Sequence, residues 1–129
     1  MYESALAENV YAQSAQWTGT PRSVEYRLFA RVTRQLEAAK ERSGERFSEL
    51  AQAIYDNDRL WTALAADVAD NGNGLPKELR AKLLYLFEFT RRHGRKVMQG
   101  AASPNILIDI NTAVMRGIMG VADRQEKAS

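Results

Sequence analysis

The sequence predicts an all-α protein, a single-domain compact bundle of about five helices. Ala, Leu, Glu, Arg and Gln, which favour helices, are abundant in the 129 residues. No stretch alternates apolar and polar residues for long enough to form a strand. Each of the three prolines stands where a helical pattern begins. The length suits one domain over residues 1–129, with a tail that frays from about residue 123.

The first two helices are predicted over about 4–16 and 22–42. The first has a weak apolar face, so it should depend on docking to the rest of the protein. Thr20-Pro21 supplies the second with an N-cap and a first helical residue. The positions of the second helix that share one side at helical spacing are Val24, Leu28, Val32, Gln35, Leu36 and Ala39.

The third helix, about 45–70, carries the most regular pattern of the chain. Spacings of three and four residues alternate along it, which is typical of a heptad seam. The seam consists of Phe47, Leu50, Ile54, Asn57, Trp61, Leu64 and Val68. Asn57 is its one polar member. It either sets the register of the packing, sits at the edge of the seam, or accepts a hydrogen bond from a partner.

The fourth and fifth helices are predicted over about 75–100 and 106–122. The fourth is apolar nearly all round between Leu79 and Phe89, so we expect it to be the central helix. Gly94 within it indicates a close crossing or a kink. Ser103-Pro104 begins the fifth, which has more apolar surface than one docking face requires. Either this helix is fully buried, or part of its surface waits for another chain.

Several classes of chemistry are excluded by composition. The absence of cysteine excludes disulfides, zinc-thiolate sites and a cysteine nucleophile. His93 is the lone histidine, no triad can be assembled around it, and no phosphate-binding loop is present. We therefore predict a protein that is not an enzyme and has no catalytic residue, cofactor or metal. Without a bilayer-length apolar run or a signal peptide, we expect no membrane insertion and a cytoplasmic location.

The charge is nearly balanced overall but is unevenly distributed. The chain carries +2, with −4 over residues 43–75 and +5 over residues 76–100. Segments of opposite sign can pack against each other inside one molecule. The basic cluster Arg91, Arg92, Arg95 and Lys96 could meet phosphates. No aromatic platform, RNP motif or KH loop is evident beside it, which argues against direct nucleic-acid binding.

Five segments, taken in order, resemble the FlaF family of flagellar biosynthesis regulators. They are Tyr11-Ala12; Thr20-Pro21-Arg22-Ser23-Val24-Glu25-Tyr26-Arg27-Leu28-Phe29 with Val32-Thr33-Arg34-Gln35-Leu36; Asn57-Asp58-Arg59-Leu60-Trp61; Gly74-Leu75-Pro76-Lys77-Glu78-Leu79-Arg80; and Leu107-Ile108-Asp109-Ile110-Asn111 with Met115-Arg116-Gly117-Ile118. The similarity covers roughly residues 9–118. The basic run at 91–96 does not belong to it.

The resemblance implies a small helical cytoplasmic protein of flagellated alphaproteobacteria. Such proteins bind flagellin before type III secretion and work beside FlbT, a regulator that acts on flagellin messenger RNA. We therefore predict a flagellin-binding export chaperone and regulator of flagellin synthesis, with the terminal helices of flagellin as its target and FlbT as a further candidate partner. The alternative is a post-transcriptional regulator of flagellin mRNA, acting with FlbT or through direct RNA contact. The predicted partner-binding residues are Arg22, Glu25, Tyr26, Phe29, Leu107, Ile110, Asn111, Val114 and Met115.

Overall fold

The computed structural model describes residues 2–14, 22–41, 47–69 and 76–128, with side chains over 2–10, 26–40, 47–69 and 76–117. Over these ranges the chain forms helices and no strand, which confirms the all-α prediction. The five helices are α1 (Tyr2–Ser14), α2 (Arg22–Glu41), α3 (Phe47–Ala69), α4 (Lys77–Met98) and α5 (Asn105–Ala128). The predicted cap at 20–21 and the predicted breaks at 18–20, 43–44 and 71–74 lie outside the described residues. Helix α5 continues to Ala128 rather than ending near residue 122.

Helix α5 is the central element of the bundle. It packs mainly against α1 and α2, while α3 packs against α2 and α4, and α1 also contacts α4. Its buried side chains include Ile106, Leu107, Ile110, Asn111, Ala113 and Val114. The prediction that α4 would be central is wrong, because α4 buries one stripe and leaves Tyr85 39% exposed. The sequence leaves two alternatives for α5, full burial or a surface for another chain. The described side chains of α5 are mostly buried, which agrees with the first alternative.

The apolar core has two parts. The larger part joins all five helices around Phe29 and Trp61, whose rings meet edge to face with centroids 5.7 Å apart. The smaller part joins α2, α3 and α5 around Leu36 and Leu107. Full burial of each such large apolar side chain contributes about 1.5–3 kcal/mol. These contacts, rather than helix propensity alone, hold the five helices together.

Two of the predicted helix faces differ from those observed. On α2 the buried positions are Phe29, Val32, Thr33, Leu36 and Ala39, whereas Leu28 is 42% exposed. On α3 the seam is buried at Asn57, Trp61 and Val68, as predicted, but Phe47 at its start is 64% exposed. Both faces are therefore correct along most of their length and wrong at one apolar position.

A tight corner connects α4 to α5. Gly100 has φ 75°, which glycine adopts without steric cost. The backbone N–H of Gly100 donates to the carbonyl of Val97, and that of Ala101 donates to the carbonyl of Lys96. This pattern is a Schellman motif and satisfies the last carbonyls of α4. The Ser103 hydroxyl then accepts from the backbone N–H of Asn105, so Ser103 caps α5 at the predicted start of this helix.

Candidate binding surfaces

The structure places most of the predicted partner-binding residues in the interior. Phe29, Leu107, Ile110, Asn111 and Val114 are fully buried. Tyr26 and Met115 are half-buried and pack against the larger part of the core. The side chains of Arg22 and Glu25 lie outside the described residues. The five buried side chains hold α2 and α5 in the bundle, so a partner could reach them only if these helices separated from their neighbours.

A chain of buried side-chain hydrogen bonds, here called the amide relay, links α3 to α5. The indole Nε1 of Trp61 donates to Oδ1 of Asn111 at 3.0 Å, and Nδ2 of Asn111 donates to Oδ1 of Asn57 at 2.8 Å. An indole N–H can only donate, so it fixes which end of the Asn111 amide faces Trp61. With its oxygen facing Trp61, Asn111 presents its amide nitrogen, a donor, to Asn57. The Asn57 atom that faces it must therefore be the oxygen, and the amide nitrogen of Asn57 remains as a donor.

The amide relay also gives a structural reason for two of the segments that resemble the family. It brings residues 57–61 and 107–111 together inside the core, although Trp61 and Asn111 are 50 positions apart in sequence. Buried polar groups cost free energy unless they are hydrogen-bonded, and here they satisfy one another. Of the alternatives for Asn57, the structure shows a buried residue that accepts a hydrogen bond from its own chain.

Tyr2, Tyr85, Phe89 and His93 form an aromatic row across α1 and α4. Neighbouring ring centroids along the row are 6.5, 6.4 and 6.0 Å apart. Tyr2 is 67% exposed and Tyr85 is 39% exposed, while Phe89 and His93 are half-buried. The sequence reasoning missed this row. The signal that could have revealed it is the four-residue spacing of the three rings on α4, which places them on one side of the helix.

Polar contacts hold the aromatic row near its α1 end, at Tyr85, and at its His93 end. The hydroxyl of Tyr85 donates to a carboxylate oxygen of Glu3 at 3.5 Å. Desolvation and the negative charge of Glu3 both raise the pKa of Tyr85 above its ordinary value. At the other end, Nε2 of His93 lies 2.8 Å from the carbonyl oxygen of Ser103. Because a carbonyl only accepts, Nε2 carries the proton and anchors the His93 ring to the corner between α4 and α5.

The basic cluster of α4 is divided between two faces of the helix. Arg91 and Arg95 line a cleft between α3 and α4. Arg92 follows Phe89 by three residues, and Lys96 follows His93 by three, so both lie on the side of the aromatic row. In agreement with this, the charge of Arg92 acts on Tyr85 and partly offsets the rise in its pKa.

The α3–α4 cleft has a volume of about 280 Å³. Asn57 and Thr90 line it and are each 3% exposed, so they form its floor. Asp58 on α3 stands opposite Arg91 and Arg95 on α4, and these two arginines are solvent-exposed. The cleft thus combines a buried polar floor with a charged, accessible rim.

Over the residues that the structure describes, the chain is a small helical protein with a packed core, an accessible aromatic row and an α3–α4 cleft. The chain belongs to the FlaF family: residues 7–118 match the family described as flagellar protein FlaF. This confirms the family that its sequence resembles, over almost the same range. No curated protein and no solved structure matches the chain. Among the described residues, no helix is long and apolar enough to span a membrane.

Proposed function

We propose that this protein binds unpolymerised flagellin in the cytoplasm, as an export chaperone that also regulates flagellin synthesis and secretion. Membership of the FlaF family makes it a flagellar protein. The observation that supports a binding role is the aromatic row, which leaves Tyr2 and Tyr85 in contact with solvent in the free protein. Tyr is enriched at protein–protein contacts because one ring combines a large apolar area with a polar tip.

The aromatic row suits a helical target. Its three rings on α4 follow a helical spacing, and an amphipathic helix laid beside them would present its own anchors at intervals of three and four residues. The terminal helices of unpolymerised flagellin have this character and would otherwise self-associate. A surface with a few exposed rings binds with moderate affinity and does not form an obligate interface. Moderate affinity is what release of flagellin at the export apparatus requires.

The first test is size-exclusion chromatography with light scattering on the protein mixed with flagellin monomer from its own organism. We expect a one-to-one complex that survives ribonuclease and moderate salt. The variant Tyr2→Ser/Tyr85→Ser should weaken the complex at least tenfold, because interface tyrosines can each contribute about 1–2 kcal/mol or more. Calorimetric titration measures the change.

The matched control is Phe47→Ser/Tyr55→Ser, which removes two exposed aromatic rings from α3 instead. Phe47 is 64% exposed and Tyr55 is 57% exposed, so the control loses a similar amount of accessible apolar surface. It should bind flagellin as the unmodified protein does. Failure of the unmodified protein to form a complex at tens of micromolar would contradict the proposed function, and equal weakening by both variants would contradict the role of the aromatic row.

A second candidate function is post-transcriptional control of flagellin mRNA, with FlbT or through direct RNA contact. The observation that favours it is the position of Arg92 and Lys96 beside the aromatic row. Exposed rings interleaved with cations are typical of surfaces that bind single-stranded nucleic acid, where bases stack and phosphates pair. Lys82, three residues before Tyr85, extends the same side of α4.

Fluorescence anisotropy with a labelled single-stranded flagellin leader RNA tests this second function. If it holds, Arg92→Gln/Lys96→Gln should weaken RNA binding and reduce the magnitude of the salt slope by roughly 1.4, since each phosphate contact contributes about 0.7 for single strands. Arg91→Gln/Arg95→Gln, on the other face, should have the smaller effect. The absence of saturable binding, with and without added FlbT, would exclude this function.

A further inference from the structure

The floor of the α3–α4 cleft is a hydrogen-bond donor. The amide relay begins at the indole N–H of Trp61 and runs through Asn111 to the amide oxygen of Asn57. Because the relay uses the oxygen of Asn57, its amide nitrogen remains able to donate a hydrogen bond to a group in the cleft, which Asn57 lines. Thr90, the other floor residue, directs its hydroxyl to the carbonyl of Phe87. A ligand in the cleft must therefore offer an acceptor to Asn57.

The rim of the cleft carries a net positive charge. Arg91 and Arg95 are one helical turn apart on α4, so their guanidinium groups rise on the same side. Asp58, on α3, is the acidic residue of the lining. The two arginines and the one aspartate give the rim a net charge of +1, which one further anion would neutralise. A carboxylate meets both requirements, because it accepts from Asn57 and pairs with an arginine.

The space for such a group depends on Gly94. A Cβ atom at this position would lie 3.2 Å from Cγ2 of Ile54, so α3 and α4 approach closely here and no side chain of residue 94 fills the cleft. Of the two alternatives predicted at Gly94, a close crossing or a kink, the structure shows the close crossing, within one continuous helix. Ile54 and Met98 give the cleft an apolar wall. The site therefore suits a carboxylate that is joined to an aliphatic group.

We infer that the α3–α4 cleft binds an acidic side chain, with an aliphatic neighbour, from a segment of a partner protein. A volume of about 280 Å³ with exposed arginines at its rim accommodates one or two side chains, whereas sites for free small molecules are usually larger and bury most of their ligand. This inference rests on the proposed function in one respect, since flagellin is the partner first tested. It adds a second contact region and the chemistry that it recognises.

Calorimetric titration with flagellin compares two variants of the full chain that lose the same charge. Arg91→Gln/Arg95→Gln removes the cations of the cleft, and Arg31→Gln/Arg34→Gln removes two exposed arginines of α2 that belong neither to the cleft nor to the aromatic row. We expect the first pair to weaken the complex at least tenfold and the second pair less than threefold. All four side chains are exposed, so thermal melting should show both variants folded. Equal weakening by the two variants, or a larger effect of the second, would overturn the inference.

A second experiment separates failure of the inference from failure of the proposed function. The ¹⁵N-labelled protein is titrated with acetyl-Leu-Glu-Ala-amide, with its glutamine counterpart, and with glutarate. We expect the glutamate peptide to shift the Asn57 side-chain amide and the Gly94 backbone amide saturably, and the shift to be lost in Arg91→Gln/Arg95→Gln. If flagellin fails to bind but the peptide shifts remain, only the proposed function fails. If the glutamine peptide acts equally, or glutarate binds as tightly as the peptide, the inference fails.

Discussion

Replacing Phe29 with alanine is expected to lower the free energy of unfolding by about 3–5 kcal/mol, the usual loss for a buried phenylalanine. The ring of Phe29 is fully buried and meets Trp61 edge to face with centroids 5.7 Å apart. Truncation removes that contact and leaves a cavity where all five helices meet. Because a domain of this size is stable by only about 5–15 kcal/mol, the loss is large. Urea unfolding followed by circular dichroism measures it.

The neighbouring Leu28 provides the control. Its side chain is 42% exposed, so Leu28→Ala should cost less than about 1 kcal/mol. The comparison also tests the predicted partner contact at Phe29. If Phe29→Ala melts at the same temperature as the unmodified protein but loses flagellin binding, the side chain is an interface anchor rather than a core residue.

Replacing Asn111 with alanine is expected to cost about 2–6 kcal/mol, because two buried polar groups lose their partner at once. The indole N–H of Trp61 and the amide oxygen of Asn57 both depend on Asn111. Each unsatisfied group costs about 1–3 kcal/mol in the interior. The measurement is chemical unfolding, together with hydrogen exchange of the Trp61 indole proton, which should become much faster in the variant.

Asn105→Ala is the control for this prediction, since Asn105 is exposed at the start of the same helix. It should change stability by no more than about 0.5 kcal/mol. A double-mutant cycle with Asn57→Ala should show coupling to Asn111→Ala of about 0.5–3 kcal/mol, as residues in one hydrogen-bond network do. Additive losses, or a loss below 1 kcal/mol for Asn111→Ala alone, would show that the amide relay does not contribute to stability.

Much of the fold is predictable because local signals agree with one another. Helical spacing of apolar residues, together with glycine and proline at the breaks, locates five helices within about two residues of their observed bounds, except at the C-terminal end of α5. The buried face of α2 is harder to predict, because Leu28 and Phe29 are adjacent and both apolar. Packing against the neighbouring helices determines which of the two is buried. The buried residue is Phe29, whose ring packs edge to face against Trp61.

The relation between α4 and α5 could not be predicted from apolar content. Helix α4 has the more continuous apolar run, but part of it consists of aromatic residues that cover the surface, such as Tyr85. Helix α5 has small residues, Ala113 and Gly117, which let neighbouring helices approach closely. The surplus apolar surface of α5 leaves two alternatives at the level of sequence, full burial or a contact with another chain. Over its described side chains, up to residue 117, α5 packs mainly against α1 and α2 and buries most of its apolar residues.

The candidate sites depend on distances that a single sequence does not contain. Asn57 and Asn111 can each be recognised as polar members of apolar stripes, but nothing in their spacing pairs them across 54 positions. The division of the basic cluster between two faces follows from helical geometry alone and could have been predicted. The identity of the element that packs beside each face could not, because it requires the arrangement of α3 and α1 around α4.

The packing of α1 on α5 has a consequence for synthesis on the ribosome. Ala7 and Val10 are buried with Ile110, Ala113 and Val114, so α1, which precedes the other four helices of the bundle, has α5 as its main partner. Domains fold as units, and during synthesis the chain emerges from the ribosome with its N-terminal part first. Until residues 105–117 have left the exit tunnel, the nascent chain cannot close its core and presents the apolar side of α1 to the cell. Completion of the bundle is therefore a late event, timed by the translation of α5 rather than by the formation of the earlier helices.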